Sequence, residues 1–245
     1  MSTPPNDSTP ALFPLGQDGI LIRCGDGFAA APDAAQTLAN RVRAADLAGV
    51  TEIATSLASV FIRFAPGVVT RAALSDRLRA LAADPVTRQN KALRRWTIPA
   101  SFGGDSGPQL AEAAALAGLS TADAVAEVTG VDLSVLAIGF APGQPYLGHL
   151  GPGWDMPRQQ NLSPHVPAGA LVVALRQMVL FANASPTGWR WIGTCAFAPF
   201  QPDRATPFAL RAGDLIRFTA TDPDTIDRLR DQPDGLGGAA CEGLA

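Results

Sequence analysis

Between Leu12 and Trp96 the spacing of apolar positions switches repeatedly between two periods. "GILIRCG" (19–25) is strand-like, whereas "PDAAQTLANRVRAADL" (32–47) opens on a proline and carries Leu38, Val42 and Ala45 at helical spacing. "TEIATSLASVFIRFAP" (51–66) holds two strand-type runs around the small residues TSLAS. "TRAALSDRLRALAADP" (70–85) places Leu74, Leu78 and Leu81 on one helical face with arginines outside it. With a further strand at "RRWTIPA" (94–100), the order predicts an α+β N-terminal domain over 11–96. Its arrangement is a split βαβ with an antiparallel sheet and helices on one face.

Beyond Ala100 the pattern changes. "SGPQLAEAAALAGLSTADAVAEVTG" (106–130) reads as one or two helices broken at AGLS, where Gly118 ends the first and Ser120 or Thr121 caps the second. After Val131 come short apolar runs separated by Pro/Gly turns: "SVLAIGF", "ALVVALR", "MVLFANA", "WRWIGTC" and "DLIRFTA". Such spacing predicts a mostly β barrel, closed or nearly so, over 97–229. The first ten residues are rich in Pro, Ser and Thr, and 230–245 is rich in Gly and Ala with little to bury, so both ends are expected to be frayed or disordered.

Composition narrows the function classes. A chain of 245 residues with 47% hydrophobic and 17% charged residues can bury a sizeable core. Its net charge of -3 lacks the basic surplus that drives phosphate-backbone binding, so nucleic acid is not an expected partner. No run approaches the ~20 apolar residues of a spanning helix and the N-terminus lacks a signal pattern, so a cytoplasmic, non-membrane protein is expected. Cys24, Cys195 and Cys241 are widely separated, and His149 and His165 form no ligand spacing, so neither a disulfide framework nor a metal site is expected.

Candidate chemistry concentrates in loops with unusual backbone demands. "GFAPGQPYLGHL" (139–150) packs glycines, prolines, aromatics and a histidine into twelve positions, yet matches neither a Walker loop nor a dinucleotide fingerprint. Ser163 and Ser185 lack a nucleophile elbow, and two histidines are a thin supply of general bases. What remains is Gly139, Gly143 and Gly148, "VPAGA" (166–170) and "SPTGWRWIG" (185–193). Clustered at a barrel mouth, these loops would form a small-molecule pocket with Phe140, Tyr146 and Trp189 as apolar walls and Arg158 and Gln177 as polar anchors. Tight barrel corners with core aromatics are the structural alternative.

In order and spacing, "GFAPGQPYLGHL", "MPR" (156–158), "VPAGA", Gln177 and "SPTGWRWIG" resemble the signature of the allophanate hydrolase subunit 1 family, also called KipI-like or the B component of 5-oxoprolinase. "SFGGDSGPQL" (101–110) is similar to its YGGxxGPDL segment. The resemblance covers about Leu12 to Ala220. It implies a small α/β domain followed by a cyclophilin-like barrel, working with a KipA-like homologue (the C component) and a third partner of the LamB/YcsF type. The implied activity is ATP-dependent opening of 5-oxoproline to L-glutamate, with ATP used by the complex. An allophanate/urea-carboxylase-type role, or a KipI-like inhibitor of a histidine kinase, is the alternative.

Carried onto matching positions, the resemblance implies Arg158 and Gln177 as catalytic groups. It implies Phe140, Pro142, Gly143, Tyr146, Pro167, Ala168, Gly169, Gly188 and Trp189 as substrate-binding positions. The chain departs from the family pattern where Leu162 and Ser163 stand for a second Pro-Arg, Ala170 for a serine, and Met178 for the threonine after the glutamine. It also departs where Thr187 stands for a glycine, Thr194 for an arginine, Gln144 for an aromatic and His149 for a glycine. These changes are expected to remove cations and hydroxyls from the pocket, so that either the substrate differs or the protein is chiefly structural.

Overall fold

The computed structural model describes residues 10–25, 31–83 and 94–244, without the side chains of 31–33. The chain divides into two compact units, 1–90 and 91–245. The expected fraying of the first ten residues lies, except for Pro10, outside the described residues.

In the first unit, strands β1 (Ala11–Leu15), β2 (Gly19–Arg23), β3 (Val50–Thr55) and β4 (Ser59–Phe64) form one sheet in the order β1-β2-β4-β3. Every pair is antiparallel. Helix α1 (Ala31–Ala44) connects β2 to β3 and α2 (Arg71–Ala83) follows β4. Because β4 lies between β2 and β3, those two strands run parallel, which is the expected split βαβ. Period-two positions Ile20, Ile22, Val60, Ile62 and Phe64 are buried together with Leu38, Val42, Leu74 and Leu78 from the helices, so both helices cover one face. The sequence pattern does not mark β1. As an edge strand it leaves Phe13 and Leu15 exposed, and its alternation is correspondingly weak.

The second unit contains, in order, β5 (Arg94–Phe102), α3 (Leu110–Ala117), α4 (Thr121–Gly130), β6 (Leu133–Ile138), β7 (Pro145–Leu147), β8 (Ser163–Val166), β9 (Ala170–Ala174), β10 (Gln177–Leu180), β11 (Ser185–Thr187), β12 (Arg190–Cys195), β13 (Leu215–Ala220), α5 (Pro223–Arg230) and β14 (Ala240–Gly243). Seven strands close a barrel in the order β12-β9-β10-β7-β6-β13-β5, with β5 pairing back onto β12. β8 and β11 form a separate two-stranded ribbon. The helix break falls where expected: Gly118 takes φ 75° as the C-cap of α3. Ser120, not Thr121, caps α4 by accepting from the Asp123 N–H.

Two expectations are corrected. The strand at 94–100 belongs to the barrel, not to the N-terminal sheet. Trp96, Ile98 and Ala100 alternate into the barrel core while β5 pairs in parallel with β13 along Arg95–Ala100. The tail is also ordered: Ala240–Gly243 pair with Thr97–Arg94 of β5, on the edge that β12 takes farther along at Ala100–Phe102. Its glycines read as disorder but serve close approach. Gly237 and Gly238 have φ 57° and 73°, and a Cβ at Gly237 would lie 2.4 Å from the Ala196 carbonyl carbon.

Candidate functional site

Alternation along the barrel strands separates two environments. Leu147, Leu171, Val173, Met178, Leu180 and Ile192 point into the barrel core. Their neighbours Val172 and Val179, with Val166, Phe181 and Trp189, form a second cluster against which Tyr146 and Trp191 pack. Strand register sets a row across this outer face: Tyr146 opposite Val179, Val179 opposite Val172, and Val172 opposite Trp191. The ribbon of β8 and β11 borders that face, with Val166 joining the cluster.

A cavity of about 320 Å³ opens here. Tyr146, Val179 and Phe181 form its apolar base, Trp189 and Phe140 flank it, and Leu162, Pro186, Thr187 and Gly188 come from the ribbon and its approaches. Gln144, Arg158 and Gln159 supply polar atoms, and among the described residues none that lines it is acidic. Tyr146 and Trp189 meet edge to face at 6.4 Å and 76°. The Arg158 guanidinium lies 5.5 Å from the centroid of the Trp189 ring and has no ion-pair partner among the described residues.

The segment that presents Arg158 is held by hydrogen bonds. Gln159 donates from its backbone to Gly188 O at 2.6 Å and from Nε2 to Trp189 O at 3.1 Å. Gln109 Nε2 donates to Gln159 Oε1 at 2.7 Å, while Gln109 Oε1 accepts from Trp191 N at 2.8 Å. On the other side Arg190, 7% exposed, donates to Pro157 O at 2.7 Å and pairs with Glu112 at 2.9 Å. Gly188 passes close to this segment: a Cβ there would make a tight contact, 3.2 Å from Gln159 O.

Of the residues expected at the site, Phe140, Tyr146, Arg158, Gly188 and Trp189 meet in this cavity. Gln177 does not line it. It is 5% exposed in β10, shares the outer face with Val179, and its Nε2 has no hydrogen-bond partner among the described residues. Pro142 and Gly143 are also outside the lining. Gly143, at φ 74°, packs against Pro199 and Phe200, where a Cβ would approach Phe200 Cβ to 2.8 Å. Pro167, Ala168 and Gly169 form the corner between β8 and β9. Gly169 has φ 82° and faces Cys195 O, which a Cβ would meet at 2.3 Å. These positions lie in the turns between strands.

The cavity lies on the outer face of the barrel wall, whose interior is filled by apolar side chains. Missed lining residues include Gln144, Gln159, Leu162, Phe181 and Thr187, and a signal existed for three of them. Gln144, Leu162 and Thr187 are positions where the chain departs from the family pattern. The other departures do not strip the cavity: Ala170 and Met178 are packed in the two clusters, and Thr194 Oγ1 donates to Ser106 O at 2.7 Å.

Comparison with known proteins agrees with this architecture. The B component of the 5-oxoprolinase of Bacillus subtilis (strain 168) is 36% identical over 145 residues, 59% of this chain and 59% of that protein. Its counterpart in Escherichia coli O157:H7, named in the same way, is 34% identical over 167 residues, 62% of this chain and 75% of that one. The chain thus matches about three fifths of the length of the Bacillus relative. Among solved structures, the crystal structure of TTHA0988 superposes with a TM-score of 0.70 at 31% identity, over 83% of this chain and 40% of that chain. The K. lactis urea amidolyase shares the fold at 16% identity, with a TM-score of 0.75 over 98% of this chain and 17% of that chain. Residues 10–210 match the family described as "Carboxyltransferase domain, subdomain C and D", and the chain belongs to that family.

Proposed function

We propose that this chain is one component of an ATP-dependent amidohydrolase of the 5-oxoprolinase type. In this reading it works with a KipA-like partner and a LamB/YcsF-type protein to open 5-oxoproline to L-glutamate. Likeness to two proteins named as the B component of 5-oxoprolinase supports the assignment. The observation that carries it is Arg158: among the described residues it has no ion-pair partner, it is stacked on Trp189, and the cavity it edges has no acidic lining residue.

The chemistry that follows is positioning. A guanidinium presents paired N–H donors in a fork that matches a carboxylate, and it is strongest where the surroundings exclude water. Arg158 would take the carboxylate of 5-oxoproline while Tyr146, Val179 and Trp189 cover the ring, leaving the lactam group oriented for attack. Among the described lining residues there is one cation, which suits a single carboxylate and not a triphosphate. ATP is therefore assigned to the complex, and no step through it is assigned to residues of this chain.

The test is co-expression with the KipA-like homologue and the LamB/YcsF-type protein, followed by measurement of ATP-dependent glutamate release from 5-oxoproline. Turnover that is lost on Arg158→Ala, with the complex intact, is the expected result. A stable complex without turnover of 5-oxoproline would overturn the substrate assignment.

A further inference from the structure

One group in the cavity is used neither by barrel packing nor by the carboxylate clamp. Gln144 is 2% exposed and lines the cavity. Its backbone is fixed in a turn: Gln144 N donates to Ala141 O at 3.1 Å, Gly139 N donates to Gln144 O at 3.0 Å, and Gly143 seats against Phe200. The side-chain orientation is also set. Ala182 N donates to Oε1 at 3.3 Å, and a backbone N–H can be met only by the oxygen end of the amide. The Nε2 is left with no hydrogen-bond partner among the described residues. Unlike Gln177 Nε2, it is not sealed from solvent, so within the cavity a fixed donor is open to a ligand acceptor that takes the place of water.

We infer that Gln144 is a specificity-determining donor. Among small acids held by Arg158, it selects those that carry a carbonyl oxygen within a few atoms of the carboxylate. The inference rests on the reading of Arg158 as the carboxylate clamp. The aromatic residue usual in the family pattern at this position has no amide to offer, so this donor is particular to this chain. Lactam acids and N-carbamoyl amino acids share the required carboxylate-plus-carbonyl chemistry. Cyclopentanecarboxylate has the acid and a ring of similar size but no acceptor.

The experiment is calorimetric titration of the full chain with L-5-oxoproline, N-carbamoylglycine and cyclopentanecarboxylate, repeated for Gln144→Met, Gln144→Glu and Arg158→Ala. Wild type should bind at least one carbonyl acid about tenfold or more tightly than cyclopentanecarboxylate, the scale of one buried hydrogen bond. Gln144→Met should bring that acid down to the level of cyclopentanecarboxylate without altering the latter, whereas Arg158→Ala should weaken all the acids together. Gln144→Glu keeps the acceptor for Ala182 N–H and removes the donor, so it carries the test if the Met variant does not fold. Persistence of the carbonyl preference in either folded variant overturns the inference. So does equal weakening of all three acids by Gln144→Met, or the absence of binding by any of them to wild type. Gln144-dependent binding of N-carbamoylglycine without binding of 5-oxoproline supports the inference and sinks the 5-oxoproline reading. Glutamate release by the complex that Gln144→Met leaves unchanged does the reverse.

Discussion

The two faces of the same four strands, β7, β9, β10 and β12, have different chemistry. Inward, Leu147, Leu171, Val173, Met178, Leu180 and Ile192 are apolar and almost fully buried. Outward, the row of Tyr146, Val179, Val172 and Trp191 is bordered by Gln144, Arg158 and Gln177, polar groups whose hydrogen-bonding or charge capacity the chain does not fully use. An alternating strand can close a barrel with one set of side chains and leave the other set for recognition. In the proposed function the inner face governs stability and the outer face binding, with little overlap.

The largest effect that would break this division is on the inner face. Phe218→Ala should destabilise the barrel by about 3–5 kcal/mol through lost burial and a residual cavity, read by urea denaturation. All four tryptophans follow residue 91, so their fluorescence reports this unit alone. Gly169→Ala comes next: positive φ and the contact with Cys195 O should cost about 2 kcal/mol or more, while ligand affinity in the surviving folded fraction stays unchanged. A selective loss of affinity there would restore the 167–169 corner to the site.

Arg158→Ala should act in the opposite sense. Its stability change should stay within about 0.5 kcal/mol, while loss of a hydrogen-bonded charge should weaken acid binding by about 1.5–3 kcal/mol, measured by titration.

The barrel core also carries a pH response. Burial pushes the Cys195 thiol up to about 12 from an ordinary value of 9.0. A raised folded-state pKa means that the stabilisation is complete below pH 9.0 and is lost as pH rises from there towards about 12. The loss should run at about 1.4 kcal/mol per pH unit and be absent in Cys195→Ala, so that it appears in the difference between wild type and the variant. At pH 8, thiol reagents should modify the exposed Cys241 and spare Cys195 in the folded protein. The smallest effect is expected from Gln109→Ala, at about 1 kcal/mol in acid affinity. Gln109 reaches the site only by holding Gln159, next to Arg158.

The two helices of the first unit, the break at Gly118 and the five longest apolar runs of the barrel are legible in the chain. Each couples a clear period to a recognisable cap or turn. Strand β1, the three-residue β7 and β11, and β14 are not, because they are too short or too exposed for alternation to register. At the site, Phe140, Tyr146, Arg158, Gly188 and Trp189 were visible as a motif, but motif membership does not separate lining from scaffolding. Gly143 and Gly169 belong to the same motifs and serve backbone approach instead.

Local sequence thus determined the elements, the two-domain α+β and barrel plan, and the family motifs, since periodicity, caps and turn residues act over a few positions. Only the tertiary structure decided that 94–102 closes the barrel, that 240–243 extends its sheet, and that the cavity lies outside the wall beside the ribbon. Those outcomes depend on strand register and edge pairing between residues as far apart as Arg94 and Gly243. The placements of Gln144 and Gln177 were decided in the same way. Both are buried glutamines, and it is the packing of residues distant in sequence that places one at the cavity and encloses the other beside it.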